Sequence, residues 1–133
     1  MVFQHPDAPY PHAQIDSENM RAVMQNLIEN ALKYTPAGGS VTVVCGKEPS
    51  GDLLFSVADT GIGIPAGEQS RVFARFYRAS NAQRKETDGS GLGLFIAKGI
   101  LERSQGSIRF ESVEGSGTTF YVTLPVASEA PKA

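Results

Sequence analysis

Four short blocks of glycine and polar residues constrain this chain more than any other feature of its sequence. They lie at residues 26–36, 59–64, 89–94 and 115–120 and supply amides, a carboxylate and glycine turns, with two cations available beside them. No single block decides a function. Together, however, these groups are what a protein needs to hold a nucleotide with its magnesium ion, so their order predicts one nucleotide pocket.

Length and charge exclude several other classes of protein. With 133 residues the chain is expected to form one domain around a single core, over residues 1–126, followed by a disordered tail at 127–133. A net charge of −2 offers no basic surface for nucleic acid or an acidic membrane. The single cysteine, Cys45, lies in an apolar run and is expected to be a buried strand residue. No apolar run is long enough to span a membrane, so we expect a cytoplasmic domain without membrane contact.

The spacing of apolar residues predicts an α+β fold. A helix is expected from Ser17 to about Tyr34, a short one at 68–76, and another at 92–105 with Ile96 among its inward-facing residues. Strands are expected at 1–5, 40–46, 53–59, 107–113 and 118–124. The segment 78–91 has few large apolar residues and is therefore expected to be mobile. About three helices on one face of a mixed, mostly antiparallel sheet would form a two-layer α/β sandwich.

The first block places two asparagines on a predicted helix. Asn26, Asn30 and Lys33 share one border of the apolar stripe at about 100° per residue, whereas Gln25 and Glu29 point to solvent. An asparagine oxygen can complete an octahedral Mg²⁺ shell, and a lysine supplies a point charge for phosphate. The alternative is that both asparagines are ordinary solvated residues, and this helix alone does not choose between the two.

The second block combines a carboxylate with two glycines. Asp59 ends a predicted strand and could accept a hydrogen bond from the exocyclic amine of adenine. Gly61 and Gly63 would let the backbone approach a flat ring, since they carry no Cβ. A loop with an Asx turn is the competing interpretation of this block by itself.

The third block enters a helix and offers unpaired N–H groups at the positive end of the helix dipole, where phosphates bind. It does not follow a strand, as a dinucleotide fingerprint must, and it lacks the Gly-Lys-Ser/Thr ending of a P-loop. Between the second and third blocks, Phe73, Phe76 and Tyr77 are expected to pack in the core or anchor a lid. Arg75 and Arg78 are either solvated or phosphate-facing.

In their order and content these blocks resemble the catalytic ATP-binding domain of bacterial two-component sensor histidine kinases. Residues 26–35 match the N box of that family, 73–78 its F box, and the three glycine boxes fall at 59–64, 89–94 and 115–120. The resemblance covers nearly the whole chain. It implies the Bergerat sandwich, with ATP and Mg²⁺ as cofactors and an ATP lid at about 67–90.

The resemblance also implies a role for each matching residue. Asn30 should coordinate Mg²⁺, with Asn26 beside the phosphates, and Asp59 should read the adenine amine with support from Thr119. Lys33 and Arg78 should contact phosphates and act there with Asn26, while Tyr34 should pack near the ribose or purine. The base would be lined by Gly61, Gly63 and Ile64, and the phosphates framed by Gly89, Gly91, Leu92, Gly93 and Leu94.

Two departures bear on the reaction. Relatives that hydrolyse ATP carry a glutamate one turn before the magnesium asparagine, where this chain has Asn26, and Glu29 lies about 100° round the helix from Asn30. Sensor kinases carry an acceptor histidine, followed at once by Glu or Asp, on a separate two-helix dimerisation domain. Here His5 is followed by Pro6 and His12 by Ala13, and neither lies on a predicted helix. The resemblance therefore implies a phosphate donor that works on a histidine of a separate dimerisation domain, with a response regulator as indirect partner. The isolated domain should be monomeric.

Two alternatives share this pocket. One is a regulatory module that binds nucleotide without kinase activity, although the motif residues are all intact. The other is a protein-serine kinase of the anti-sigma-factor type, whose relatives tend to have a different N box and lid. The segment from Lys33 to Pro36 fits sensor kinases better.

Overall fold

The computed structural model describes residues 2–4, 15–75, 77, 80 and 92–125. In chain order the elements are β1 (Val2–Gln4), α1 (Ser17–Tyr34), β2 (Val41–Lys47), β3 (Leu53–Asp59), a 3₁₀ helix (Ala66–Arg71), α2 (Gly93–Arg103), β4 (Ser107–Val113) and β5 (Gly117–Leu124). The predicted strands and both long helices are present within one or two residues of their expected ends. His5, His12 and the tail at 127–133 lie outside the described residues.

The strands form one mixed sheet in the order β1-β2-β3-β5-β4. β1 pairs in parallel with β2, and all other neighbours are antiparallel. Asp59 at the end of β3 lies opposite Val41 on one side and Thr118 on the other. The second and fourth blocks of the sequence therefore meet at one end of the sheet. The mixed, mostly antiparallel sheet, together with its helices, confirms the predicted α+β sandwich.

Helix α1 begins and ends where its sequence provides for it. The Asp16 carboxylate accepts a hydrogen bond from the Glu18 N–H at 2.7 Å, which caps the first turn. At the other end the Thr35 hydroxyl donates to the carbonyl of Ala31, and Pro36 cannot continue the helix. Because Val23, Leu27 and Ala31 recur at helical spacing, they form a buried stripe that packs on the sheet.

Both α-helices cover the same face of the sheet, and the core lies between the two layers. Leu27 and Leu101 are fully buried against strand residues such as Phe55 and Val122. The prediction that Ile96 packs inward is wrong, because 45% of its surface is exposed. In α2 the buried positions are Ala97, Ile100 and Leu101, and Ile96 lies about 100° round the helix from Ala97.

The short helix predicted at 68–76 is instead a 3₁₀ helix at Ala66–Arg71. Gly67 lies within it, and glycine disfavours an α-helix because it loses the most backbone freedom there. The chain continues as single turns, in which the Val72 N–H donates to Gln69 and the Tyr77 N–H to Ala74. Across the part of the chain described here, no helix is both long and apolar enough to cross a membrane.

Candidate nucleotide site

Two asparagine side chains lie on the border of the α1 stripe, where the helical spacing predicts them. Asn26 and Asn30 are half-buried one turn apart, whereas Lys33 is exposed with its Nζ 5.7 Å from the centre of the half-buried Tyr34 ring. Among the residues that the structure describes, neither asparagine amide is hydrogen-bonded to a protein group. Both amides are thus available to a ligand.

The Asp59 carboxylate is fixed at the end of β3 by two backbone donors. Its Oδ1 accepts hydrogen bonds from Gly61 N–H at 2.8 Å and from Thr118 N–H at 3.2 Å. Burial raises the pKa of this carboxyl, and the two backbone bonds partly offset that effect. Within the described ranges no donor reaches Oδ2. One oxygen therefore sets the orientation of the group, and the other can accept a hydrogen bond from a ligand.

The threonine that supports Asp59 is Thr118, not Thr119. Asp59 and Thr118 are paired across β3 and β5, so their side chains share the helix-covered face of the sheet. Side chains alternate along a strand, and Thr119 consequently lies on the opposite face. The expectation that Thr119 supports Asp59 does not agree with this register. Two consecutive threonines in the sequence cannot be distinguished until the register is known.

The loop after Asp59 is held by hydrogen bonds to three separate elements. The Ile62 N–H donates to the carbonyl of Tyr34 at the end of α1, at 3.2 Å, and the Ile62 carbonyl accepts from the Gly115 N–H at 2.8 Å. The N–H of the half-buried Ile64 donates to the Ser112 hydroxyl at 2.8 Å. The backbone of residues 61–64 is therefore fixed before any ligand arrives.

Gly61 and Gly63 are required by contacts within the protein itself. A Cβ on Gly61 would overlap the carbonyl oxygen of Tyr34, and one on Gly63 would overlap the carbonyl of Val113. Gly63 also has a φ of +69°, which residues with a side chain rarely adopt. These two glycines allow the loop to lie between α1 and the β4–β5 hairpin, so they place the predicted base-binding surface.

The start of α2 lies beside Asn26. A Cβ on Gly93 would come 3.3 Å from the Asn26 Oδ1, so the first and third blocks of the sequence meet here. Leu92, Gly93 and Leu94 are all half-buried. The N-terminus of the eleven-residue helix α2 thus lies beside the asparagine border of α1, an arrangement suited to phosphate. Gly89 and Gly91 lie outside the described residues.

One carboxylate ties together the described part of the predicted lid. Glu68 accepts hydrogen bonds from the Tyr77 hydroxyl at 2.5 Å and from the Ser80 hydroxyl and N–H at 2.7 and 3.0 Å. The bond from Tyr77, followed by those from Ser80, lowers the pKa of Glu68 to about 2. Burial and the neighbouring Glu68 raise the pKa of Tyr77. Arg78 lies between the two donors in the chain but outside the described residues.

Of the three aromatic residues in the F box, the structure describes Phe73 and Tyr77, and both pack against the core as expected. The Phe73 ring meets the rings of Phe110 and Phe120 edge-on, at centroid distances of 5.7 and 6.3 Å. Tyr77 also packs against the core. The exposed Arg75 lies over the Phe95 ring, 5.2 Å from its centre. Phe73 is thus an anchor of this segment, while Phe76 lies outside the described residues.

Sequence reasoning missed Ser112, Thr118 and Gln69. Ser112 and Thr118 are paired across β4 and β5, and their hydroxyl oxygens are 2.8 Å apart. Gln69 donates to the carbonyls of Ile64 and Ser112. A signal for Ser112 was present, because it takes the apolar place in the alternation that Ile108 and Phe110 begin.

The side chains described here suit a metal only in company with a ligand. No group of three His, Cys, Asp or Glu side chains lies close enough to hold an ion in the described ranges. Neutral asparagine oxygens instead suit an ion that is bound mainly by phosphates and water. Asn30 fits that chemistry, since its half-buried amide has no protein partner among the described residues.

Comparison with known proteins decides the family. The model of a family described as histidine kinase-, DNA gyrase B- and HSP90-like ATPase matches residues 15–128. The chain belongs to this ATPase family. Within the family, its likeness is to sensor kinases: the sensor histidine kinase WalK of Bacillus subtilis is 44% identical over 119 residues, which are 89% of this chain and 20% of WalK.

Solved structures of sensor kinases agree. The mycobacterial sensor histidine kinase MprB superposes with a TM-score of 0.77 at 29% identity, over 94% of this chain and 83% of that one. Full-length ShkA in complex with AMPPNP gives a TM-score of 0.76 at 30% identity, over 98% of this chain and 26% of ShkA. The chain is an ATP-binding catalytic domain of the sensor histidine kinase type, and it spans 20% of the length of WalK.

Proposed function

We propose that this domain presents the γ-phosphate of Mg-ATP to a histidine on a separate dimerisation domain, as one step of two-component signalling. The observation that carries the proposal is the Asp59 carboxylate beside a fixed glycine loop: two backbone donors hold its Oδ1, and no donor among the described residues reaches its Oδ2. Membership in the ATPase family and the likeness to sensor kinases supply the class of reaction. ShkA was solved with AMPPNP, which supports an adenine nucleotide as ligand.

The second and fourth blocks, together with Tyr34, recognise the base. Asp59 Oδ2 accepts a hydrogen bond from the exocyclic amine of adenine, a group that guanine lacks at that position. The backbone of Gly61 and Gly63 and the side chain of Ile64 line the ring, and Tyr34 packs near the ribose or purine. Two backbone donors on Oδ1 orient the carboxylate in advance, so little ordering is needed when ATP binds.

The first and third blocks bind the phosphates. Asn26 lies beside them, Lys33 and Arg78 contact them, and the start of α2 at Leu92, Gly93 and Leu94 frames them together with Gly89 and Gly91. Asn30 holds Mg²⁺, which neutralises phosphate charge when it is bound. Phosphoryl transfer demands mainly positioning and charge stabilisation, which these groups provide.

Transfer to a protein, rather than hydrolysis, follows from the residue one turn before Asn30. A general base is needed there to activate water, and the neutral amide of Asn26 cannot take up a proton. Glu29 is exposed and hydrogen-bonded to Gln25, on the solvent face of α1. The pocket therefore holds ATP until an acceptor histidine approaches. We place that histidine in the cytoplasm, on another domain of the same kinase or of a partner kinase.

The test is a transfer assay with ATP labelled at the γ-phosphate. The chain alone should bind AMPPNP with Mg²⁺ and take up no stable label. Mixed with a histidine-bearing dimerisation domain of a sensor kinase, it should transfer label to that domain as an acid-labile, alkali-stable phosphohistidine. The Asp59→Ala variant should transfer none. Stable labelling of the chain itself, or rapid release of free phosphate without any acceptor, would contradict the proposal.

A further inference from the structure

Ser112 occupies an unusual place in β4. The strand alternates regularly, and Ile108, Phe110 and Ser112 all face the helix layer. The first two pack against the core, whereas Ser112 puts a half-buried hydroxyl at the end of the sheet where Asp59 lies. A polar group in an apolar row is costly unless it is hydrogen-bonded. The hydrogen-bond partners of the Ser112 hydroxyl therefore indicate its role.

The Ser112 hydroxyl has a partner for its proton and for both of its acceptor positions. Its oxygen accepts the Ile64 N–H at 2.8 Å and lies 2.8 Å from the Thr118 hydroxyl and 3.1 Å from the Gly117 carbonyl. Since a carbonyl can only accept, the single Ser112 proton goes to Gly117, and the Thr118 hydroxyl donates to Ser112. One side chain thus joins the loop after Asp59 to the strand that supplies the second donor to Asp59.

A second side chain holds the same loop from the other side. The Gln69 amide donates to the Ile64 carbonyl at 3.1 Å and to the Ser112 carbonyl at 3.0 Å. Both backbone groups of Ile64 are consequently satisfied, one by Ser112 and one by Gln69. The Asp59 carboxylate is held between two donors, Gly61 and Thr118, and the segments that carry both donors meet at Ser112.

We propose that Ser112 is a positioning residue for base selectivity: it fixes the loop and strand that aim Asp59 at the exocyclic amine of adenine. This rests on the proposed function, in which Asp59 reads that amine. Without the hydroxyl, Ile64 N–H and the Thr118 hydroxyl lose their partner and the two anchors of Asp59 move independently. Contacts to the phosphates, on α1 and α2, do not pass through Ser112.

The test compares two nucleotides that differ at the amine. Inosine diphosphate carries a carbonyl oxygen where adenosine diphosphate carries the amine, so their affinity ratio isolates the contact with Asp59. Both dissociation constants are measured by calorimetry with Mg²⁺ on the full chain. Wild type should prefer ADP, and Ser112→Ala should reduce that preference by about three- to tenfold, chiefly through weaker ADP binding.

The controls separate positioning from a loss of stability. Ser107→Ala removes the same hydroxyl from the exposed start of β4 and should leave the preference unchanged. A purely structural role for Ser112 would lower the melting temperature and the fraction of protein that binds, without changing the ratio. If Ser112→Ala has no cooperative unfolding transition, Ser112→Cys replaces it, because its thiol has similar size and only weak hydrogen-bonding capacity.

Each outcome has one meaning. A wild-type chain that binds ADP and IDP equally would overturn the assignment of Asp59 and, with it, the role of Ser112. A wild-type preference for ADP that persists unchanged in the folded Ser112 variant would overturn the role of Ser112 alone. A reduced preference in that variant, with Ser107→Ala unchanged, would establish it.

Discussion

Asp59 and Thr118 face each other across β3 and β5, and the Thr118 N–H donates to Asp59 Oδ1 at 3.2 Å. The Thr118 side chain lies on the same face of the sheet as Asp59, and its hydroxyl is hydrogen-bonded to the Ser112 hydroxyl. Because a strand turns successive side chains to opposite faces, Thr118 shares the face of Asp59 and Thr119 lies on the other face. This relationship gives the first prediction.

Thr118→Val should weaken ADP binding by about three- to tenfold, whereas Thr119→Val should leave it nearly unchanged. Valine keeps the shape of threonine, so only the hydroxyl bonded to Ser112 is lost, and one hydrogen bond contributes about 0.5–1.5 kcal/mol. Calorimetric titration of the two variants with ADP measures the difference. Equal effects of both substitutions would show that the register does not control the site.

Asp59→Asn should reduce ADP affinity by roughly ten- to a hundredfold, since a hydrogen bond to a charged acceptor contributes about 1.5–3 kcal/mol. Asp52→Asn, in the turn before β3, is the matched control and should bind as wild type. An unchanged affinity in Asp59→Asn would show that the pocket lies elsewhere.

The pH dependence of binding should report the same carboxylate. Burial raises the pKa of Asp59, so acidification protonates it at a higher pH than an exposed aspartate. ADP affinity should fall as pH drops through that raised pKa, because the charged acceptor is lost. The folded state also binds this proton more tightly than the unfolded chain, so protonation of Asp59 stabilises the fold while it weakens binding. Titrations of ADP at a series of pH values check the first effect.

Asn30→Ala should remove the advantage that Mg²⁺ gives to ATP binding, since the amide is expected to complete the magnesium shell. Nucleotide affinity in the presence of a chelator should change little. Titrations of AMPPNP with Mg²⁺ or with EDTA measure the two states, and Gln25→Ala on the exposed face of α1 is the control. A variant that keeps the full magnesium effect would assign the ion to other groups.

Glu68 should titrate far below an ordinary glutamate. Bonds from Tyr77 and Ser80 lower its pKa to about 2 from the usual 4.5, so its contribution to stability is present above pH 4.5 and is lost as pH falls toward 2. Tyr77→Phe removes the largest cause and should raise this pKa. Carboxyl carbon shifts followed by NMR measure it, with Tyr121→Phe, on the opposite face of the sheet, as control. A Glu68 that titrates near 4.5 in wild type would mean that the cluster does not form in solution.

Leu27→Ala should lower the free energy of unfolding by about 2–5 kcal/mol, because it leaves a cavity in the fully buried stripe of α1. Leu32→Ala, on the same helix but 51% exposed, should cost much less. Urea unfolding of both variants tests the orientation of α1. Similar costs would place α1 differently on the sheet.

The sequence alone determined the elements and the class of site, because both depend on local patterns. Helical spacing of Val23, Leu27 and Ala31 placed α1, and alternation placed β4 and β5 almost to the residue. The four blocks, in order, indicated an ATP pocket of the sensor kinase type. Asn26, Asn30 and Asp59 were predicted as binding residues from residue type and position, which require no knowledge of tertiary contacts.

Only the tertiary structure decided which groups cooperate. The pairing of Asp59 with Thr118 depends on strand register, which two consecutive threonines leave open. Ile96 is exposed because α2 buries only the side that carries Ala97, Ile100 and Leu101. Ser112 and Gln69 bond to Ile64 from positions 48 and 5 residues away in the chain. Such contacts are set by how the layers and the hairpin come together, and local spacing carries no information about that geometry.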